Sequence, residues 1–168
     1  MTKRGIEHFP YPEDWTDDLL NELGYRRRAV SVFDHWLTEE EWEASPYIVL
    51  ERAQAVGLEA DFLEQCYQFQ AFYRCLFEKG VFRLTGLRTK RQVAWHPHWD
   101  RRLKKAVNAI AWDLRWGSEF YAPTNHVRVM SGDDRTDVLL LEEEADERAL
   151  ENLANKFGLH FLRGENWL

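Results

Sequence analysis

Residues 126–163, HVRVMSGDDRTDVLLLEEEADERALENLANKFGLHFLR, decide the fold class because they place two strand patterns before one helix pattern. Apolar residues dominate HVRVM and DVLLLE, and SGDDRTD between them is rich in turn-forming residues, which predicts a β-hairpin. A helix is expected from about Ala145 to Phe157, with Gly158 as its stop, and LHFLR returns as a strand. The stretch therefore predicts a C-terminal ββαβ unit.

Upstream of this unit the chain alternates between helical and strand patterns. Thr38 and Glu41 form a capping-box signature, and a helix with a wide apolar arc is expected from about Glu59 to Lys79. Residues 81–96 predict a second hairpin, with the basic sequence GLRTKR at its tip. This mixture predicts the α+β class, in which helices pack on one face of a mainly antiparallel sheet.

The 168 residues are expected to form a single α+β domain with an arm at its start. Residues 1–24 contain the extended sequence FPYP and one short helix, so we interpret them as an N-terminal arm. Residues 25–168 form the domain itself, since no repeat or low-complexity linker divides them. A chain of this length buries a core without disulfides or a structural metal.

Cysteine content and hydropathy point to the cytoplasm. Cys66 and Cys75 lie nine residues apart in one predicted helix, so their thiols face opposite ways and cannot pair. Unpaired, buried thiols are typical of a reducing compartment. The amino terminus lacks a hydrophobic run and no segment is long enough for a membrane span, so no membrane partner is expected.

Charge is distributed unevenly along a chain whose formal net charge is −7. Residues 1–60 contain 6 basic and 13 acidic residues, residues 61–117 contain 11 and 5, and residues 118–168 contain 5 and 11. The acidic ends either neutralise the basic middle within the folded protein or leave it free to recruit an anionic partner. The overall acidity argues against general affinity for nucleic acids.

The sequence RRLKKAVNAIAWDLRW at 101–116 predicts an amphipathic helix with a cationic, aromatic face. Its apolar stripe consists of Leu103, Val107, Ile110 and Leu114. The opposite stripe consists of Arg101, Lys105, Asn108, Trp112 and Arg115. A tryptophan among cations suits contact with another macromolecule, although packing of Trp112 beneath the acidic ends is the alternative. The hairpin tip adds three candidate binding residues, Arg88, Lys90 and Arg91.

A second candidate surface is acidic. Glu39, Glu40 and Glu43 surround Trp42 in the sequence TEEEWE. Carboxylates with an interspersed ring can occupy a cationic groove of a partner. Small proteins that neutralise toxins or nucleases often have this composition.

Three histidines are the candidates for catalytic chemistry. His96 and His98 project to one face of an extended strand, and with His126 they would offer three imidazoles to zinc or iron. The alternative to a metal site is that His96 and His98 belong to a loop before a helix, with Asp100 near the start of that helix. The acidic runs around Asp133–Asp137 and Glu142–Glu144 are explained by a turn and by a helix amino terminus. Nucleophile and nucleotide-binding motifs are absent, so no cofactor is expected.

These observations favour a non-catalytic cytosolic protein that binds another macromolecule. Another protein is the expected partner, and an immunity- or inhibitor-like role is the form considered first. Single-stranded nucleic acid bound by residues 101–116 is one alternative, because bases stack on rings between cations. A metal-dependent enzyme using His96, His98 and His126 is the other.

Overall fold

The computed structural model describes residues 5–10, 16–85, 91–113, 119–132 and 134–163, without the side chains of Asp17, Trp112 and Asp113. In these residues the strands are β1 Arg26–Ser31, β2 Val81–Thr85, β3 Gln92–His96, β4 Glu119–Ala122, β5 Val127–Met130, β6 Thr136–Leu141 and β7 His160–Leu162. The helices are α1 Asp17–Glu22, α2 Glu39–Ala44, α3 Leu50–Ala55, α4 Glu59–Leu76, α5 Arg101–Asp113 and α6 Glu147–Lys156. A short 3₁₀ turn, Ile6–His8, precedes them.

The described strands form one antiparallel sheet in the order β3-β2-β4-β5-β6-β1-β7. Each hydrogen-bonded pair is antiparallel, which confirms the single-domain α+β class. The ββαβ unit is present as β5, β6, α6 and β7. Strand β7 pairs with β1 rather than with β6, so β1 is inserted between the strands that α6 connects.

The main core lies between the sheet and the three longest helices. Phe72 and Tyr73 of α4 and Val107 of α5 are fully buried there, against strand residues such as Phe120 and Leu139. Residues alternate along β6, so Val138 and Leu140 face the opposite side of the sheet. There they pack with Leu20 of α1 and Tyr25.

The described part of the N-terminal arm covers this second face. Phe9 is 1% exposed and packs with Leu84 and Tyr121, and the His8 ring stacks on Tyr121 at a centroid distance of 4.1 Å. The arm residues therefore shield a face of the sheet that would otherwise be solvated. Thr16, a residue type that favours helix N-caps, caps α1 by accepting a hydrogen bond from the Leu19 amide.

Local signals give most boundaries correctly, and the exceptions have identifiable causes. Thr38 and Glu41 form the expected capping box. Ser45 followed by Pro46 is a helix-start signal in the sequence. Turns occupy the next residues instead, and α3 begins only at Leu50. Asp137, where the turn sequence SGDDRTD and the strand sequence DVLLLE overlap, lies inside β6. Cys66 is buried as expected, whereas Cys75 is exposed because it lies on the solvent side of α4.

Gly80, between α4 and β2, has a left-handed backbone, and its substitution gives a first prediction. Its φ is +99°, and a Cβ added there would collide with the ring of Trp95. We expect Gly80→Ala to lower the free energy of unfolding by about 1–3 kcal/mol, since a side chain is strained in this conformation. Urea unfolding measures the change. Gly57→Ala is the control for backbone strain alone, because Gly57 has a φ of +79° and an added Cβ there would meet open space. This variant should lose less stability than Gly80→Ala. An equal loss in both variants would contradict the collision.

Among the described residues, no helix combines the length and the apolar character needed to cross a membrane.

Candidate binding surfaces

Helix α5 separates apolar and cationic side chains as its periodicity predicts. Leu103, Val107 and Ile110 are buried against the core, which confirms the described part of the apolar stripe. The helix begins after Asp100, whose Oδ1 accepts a hydrogen bond from the Leu103 amide at 2.7 Å. Asn108, expected on the solvent side, is half-buried because Gln70 of α4 donates a hydrogen bond to its Oδ1.

The exposed face of α5 carries four cations, Arg101, Arg102, Lys104 and Lys105. Their helical positions spread them over the whole solvent side, with Arg101 and Lys105 aligned one turn apart. None of the four makes an ion pair with any residue that the structure describes. Within the described residues, no carboxylate therefore compensates the charge of these four side chains.

The ion pairs of the described residues neutralise other cations. Glu147 of α6 binds Arg26 and Arg28 of β1 at 3.2 and 2.9 Å, and Arg163 at 2.8 Å. These bonds hold α6 against β1 and β7. The three ion pairs connect Glu147 with arginines of β1 and with Arg163. None of them compensates the positive charge of α5.

Several predicted binding residues lie beyond the described structure. The Trp112 backbone belongs to α5, but its side chain is outside the described part, as are Arg88, Lys90 and Arg115. Arg91 is half-buried and donates a hydrogen bond to the Phe9 carbonyl oxygen at 2.7 Å. Arg91 therefore fastens the N-terminal arm.

The predicted acidic surface forms the short helix α2. Glu39, Glu40 and Glu43 are exposed, and Trp42 is half-buried. The Arg52 guanidinium lies 5.7 Å from the centroid of the Trp42 ring and donates to the Glu43 carbonyl oxygen at 3.0 Å. Part of the ring is thus covered by the cation from α3.

The three histidines of the alternative metal site lie in different environments. Strand β3 ends at His96, which is buried with its Nδ1 3.3 Å from Asp100 Oδ2. His98 follows the strand and is exposed. His126 lies in the turn between β4 and β5, where its Nδ1 is 3.2 Å from Glu142 Oε2. Its close acidic neighbours are Glu142 and Glu144, and this group of three contains neither His96 nor His98.

A buried polar cluster occupies the space between α4, α5 and the β5–β6 turn. Asp137 accepts hydrogen bonds from the Tyr73 hydroxyl and, at 2.9 Å, from the Gly132 amide. Burial raises the pKa of Asp137 to about 6. Burial, with the neighbouring carboxyl, also raises the pKa of Tyr73. Strongly shifted groups often mark functional sites, but this one has little access from solvent, because both side chains are buried.

Arg135 completes this cluster, and no carboxylate of the described residues forms an ion pair with it. It is 2% exposed and donates to the Ala111 carbonyl oxygen at 2.6 Å, near the end of α5, and to that of Phe62 at 3.2 Å. Its guanidinium lies 4.2 Å from the Phe62 ring centroid. Burial raises the pKa of the adjacent Cys66 thiol, which therefore stays protonated as a packing group.

No protein-family model, curated protein or solved structure matches this chain.

Proposed function

We propose that the protein is a non-catalytic binding protein that docks an acidic surface of another protein on the solvent face of α5. The supporting observation is the set of four exposed cations, Arg101, Arg102, Lys104 and Lys105, which form no ion pair within the described residues. Burying such cations is favourable when the partner supplies carboxylates, and their long-range field accelerates the encounter.

An acidic protein fits this helix better than a nucleic acid. The net charge is −7, so a long polyanion would be repelled by most of the chain, whereas a compact acidic patch meets only the basic face. The rigid helix also presents its charges in a fixed pattern, which gives specificity to a folded partner. We infer a cytosolic inhibitor- or immunity-like role from the composition and the two unpaired cysteines. Trp112, Arg115, Arg88 and Lys90 remain predicted members of the surface. Glu39, Glu40 and Glu43 around Trp42 remain a predicted second surface.

Charge reversal on α5 is the direct test. We expect Arg101→Glu with Lys105→Glu to weaken the affinity for the partner by about tenfold or more, because two attractions become repulsions. The partner is first captured from the producing cells with a carbodiimide, which couples lysine amines to carboxylates at zero length. Mass spectrometry should then place the cross-links on Lys104 or Lys105, and calorimetry with the purified partner measures the affinity.

The matched control reverses two exposed cations on another helix, Arg148→Glu with Lys156→Glu on α6. This variant has the same net charge, so it should retain the affinity within about twofold if α5 is the docking face. Equal weakening in both variants would indicate a general charge effect and contradict the proposal. A third outcome is salt-sensitive binding of a twenty-nucleotide oligothymidylate that is lost only in the α5 variant. This result would contradict a protein partner and identify single-stranded nucleic acid as the ligand of α5.

A further inference from the structure

A histidine and two glutamates converge at the end of the β5–β6 hairpin, away from α5. The antiparallel register that pairs Val127 with Leu141 continues outward, and the Glu142 amide donates to the His126 carbonyl oxygen at 3.0 Å. The same register brings the two side chains together, with His126 Nδ1 and Glu142 Oε2 3.2 Å apart. Glu144 follows two residues later, and one donor atom from each residue lies within 4.8 Å of the others.

This spacing suits ligands of a single metal ion. Two donor atoms, each about 2.0–2.2 Å from one zinc ion, are roughly 3.0–3.5 Å apart, which matches the nitrogen–oxygen separation of His126 and Glu142. Glu144 is exposed, so its carboxylate can rotate the remaining distance without disturbing the core. The imidazole makes this a mixed nitrogen–oxygen donor set, which distinguishes it from an ordinary acidic patch.

Neighbouring side chains orient one of the three candidate ligands. The nearby Arg26 donates from Nη1 to Glu147 Oε2 and from Nη2 to the backbone carbonyl oxygens of Glu142 and Ala145, and none of these three bonds engages the Glu142 carboxylate. The Tyr121 hydroxyl donates a hydrogen bond to Glu142 Oε2 at 2.9 Å. Tyr121 is itself held by the stacked His8 ring, so the carboxylate is preorganised from outside the ligand set.

We propose that His126, Glu142 and Glu144 form a binding site for a divalent transition-metal ion of the zinc class, with its remaining position open to water or another ligand. The imidazole selects such ions over magnesium and calcium, which prefer oxygen donors alone. The ion ties the β4–β5 turn to the segment between β6 and α6. This inference is independent of the docking face on α5.

Calorimetric titration of the full chain with zinc chloride tests the site. We expect one zinc ion per chain, and at least tenfold weaker binding in His126→Asn and in Glu144→Gln. Asparagine is chosen at position 126 because the backbone φ there is +52°, which asparagine tolerates. Magnesium and calcium chloride should give no measurable binding. Zinc should also raise the midpoint of thermal unfolding of the wild-type protein and not of His126→Asn.

His35→Ala is the matched control for a histidine between carboxylates. His35 contacts Asp34 through Nδ1 and Glu41 through Nε2, so its two acidic neighbours lie at opposite ring nitrogens and cannot share one ion with it. This variant should bind zinc as the wild type does. His98→Ala should also leave zinc binding unchanged. Absence of zinc binding, equal binding by His126→Asn, or loss of binding in His98→Ala would each overturn the proposal, and circular dichroism of the zinc-free variants verifies their fold.

Discussion

Replacing Glu119 by alanine is expected to lower the free energy of unfolding by about 3–5 kcal/mol. Arg128 is 0% exposed, and its Nε and Nη2 both donate hydrogen bonds to Glu119 Oε2. Removing the carboxylate takes the Glu119 anion away from a buried guanidinium, and the weakened compensation of this desolvated charge is the dominant cost.

The same substitution should loosen the N-terminal arm. Arg128 Nη1 donates to the Pro10 carbonyl oxygen at 2.7 Å, and the guanidinium lies 5.6 Å from the Phe9 ring centroid. A guanidinium that reorients toward water loses both contacts. Hydrogen exchange of the amides in residues 5–10 should therefore become faster in Glu119→Ala, and limited proteolysis should cut the arm earlier.

Urea unfolding followed by tryptophan fluorescence measures the stability change. The control is the double variant Glu119→Leu with Arg128→Met, which removes both charges and retains apolar volume. It should recover most of the stability, since apolar replacement of a buried pair is often neutral or favourable. A loss below about 1 kcal/mol in Glu119→Ala would mean that the pair is effectively solvated and would contradict the argument.

The burial of Arg128 shows where sequence patterns stop being sufficient. Alternation in HVRVM places Val127 and Val129 on one face of β5 and Arg128 on the other, and the structure has this arrangement. Alternation alone predicts that the polar face meets water. That face is instead covered by residues 5–10, which are more than a hundred positions away in the sequence. A contact of this separation leaves no periodic signal.

The proximity of His126 to Glu142 can be predicted from the sequence, but only if the register between strands β5 and β6 is assigned. A hairpin between HVRVM and DVLLLE with its centre in SGDDRTD places position 126 opposite position 142. Residue type alone groups His126 with His96 and His98 as imidazole ligands. It carries no information about which residues face each other across paired strands. On α5, by contrast, the 3.6-residue period was sufficient to give the burial of Leu103 and Val107.

Asp137 gives the second large prediction, in which stability depends on pH. Burial raises its pKa from 3.8 to about 6, so the folded protein binds this proton more tightly than the unfolded chain does. Its stabilising contribution is complete below pH 3.8 and is lost as the pH rises through about 6. Asp137→Asn keeps a neutral group of the same shape, so above pH 7 the variant should be more stable than the wild type by up to about 3 kcal/mol.

The difference between wild type and Asp137→Asn should therefore grow from near zero at pH 4 to its maximum at pH 7. Urea unfolding of both proteins across this range measures it, and subtraction cancels the titration of other groups. Asp34→Asn is the control of opposite sign, because the hydrogen bond to His35 lowers the pKa of Asp34, so its contribution is lost as the pH falls. Tyr73→Phe should move the Asp137 transition to higher pH, since the hydrogen bond from Tyr73 opposes the effect of burial. A wild-type-to-Asn difference that stays constant between pH 4 and 7 would show that the Asp137 carboxyl titrates as in the unfolded chain, and the buried environment would then exert no net effect on its charge.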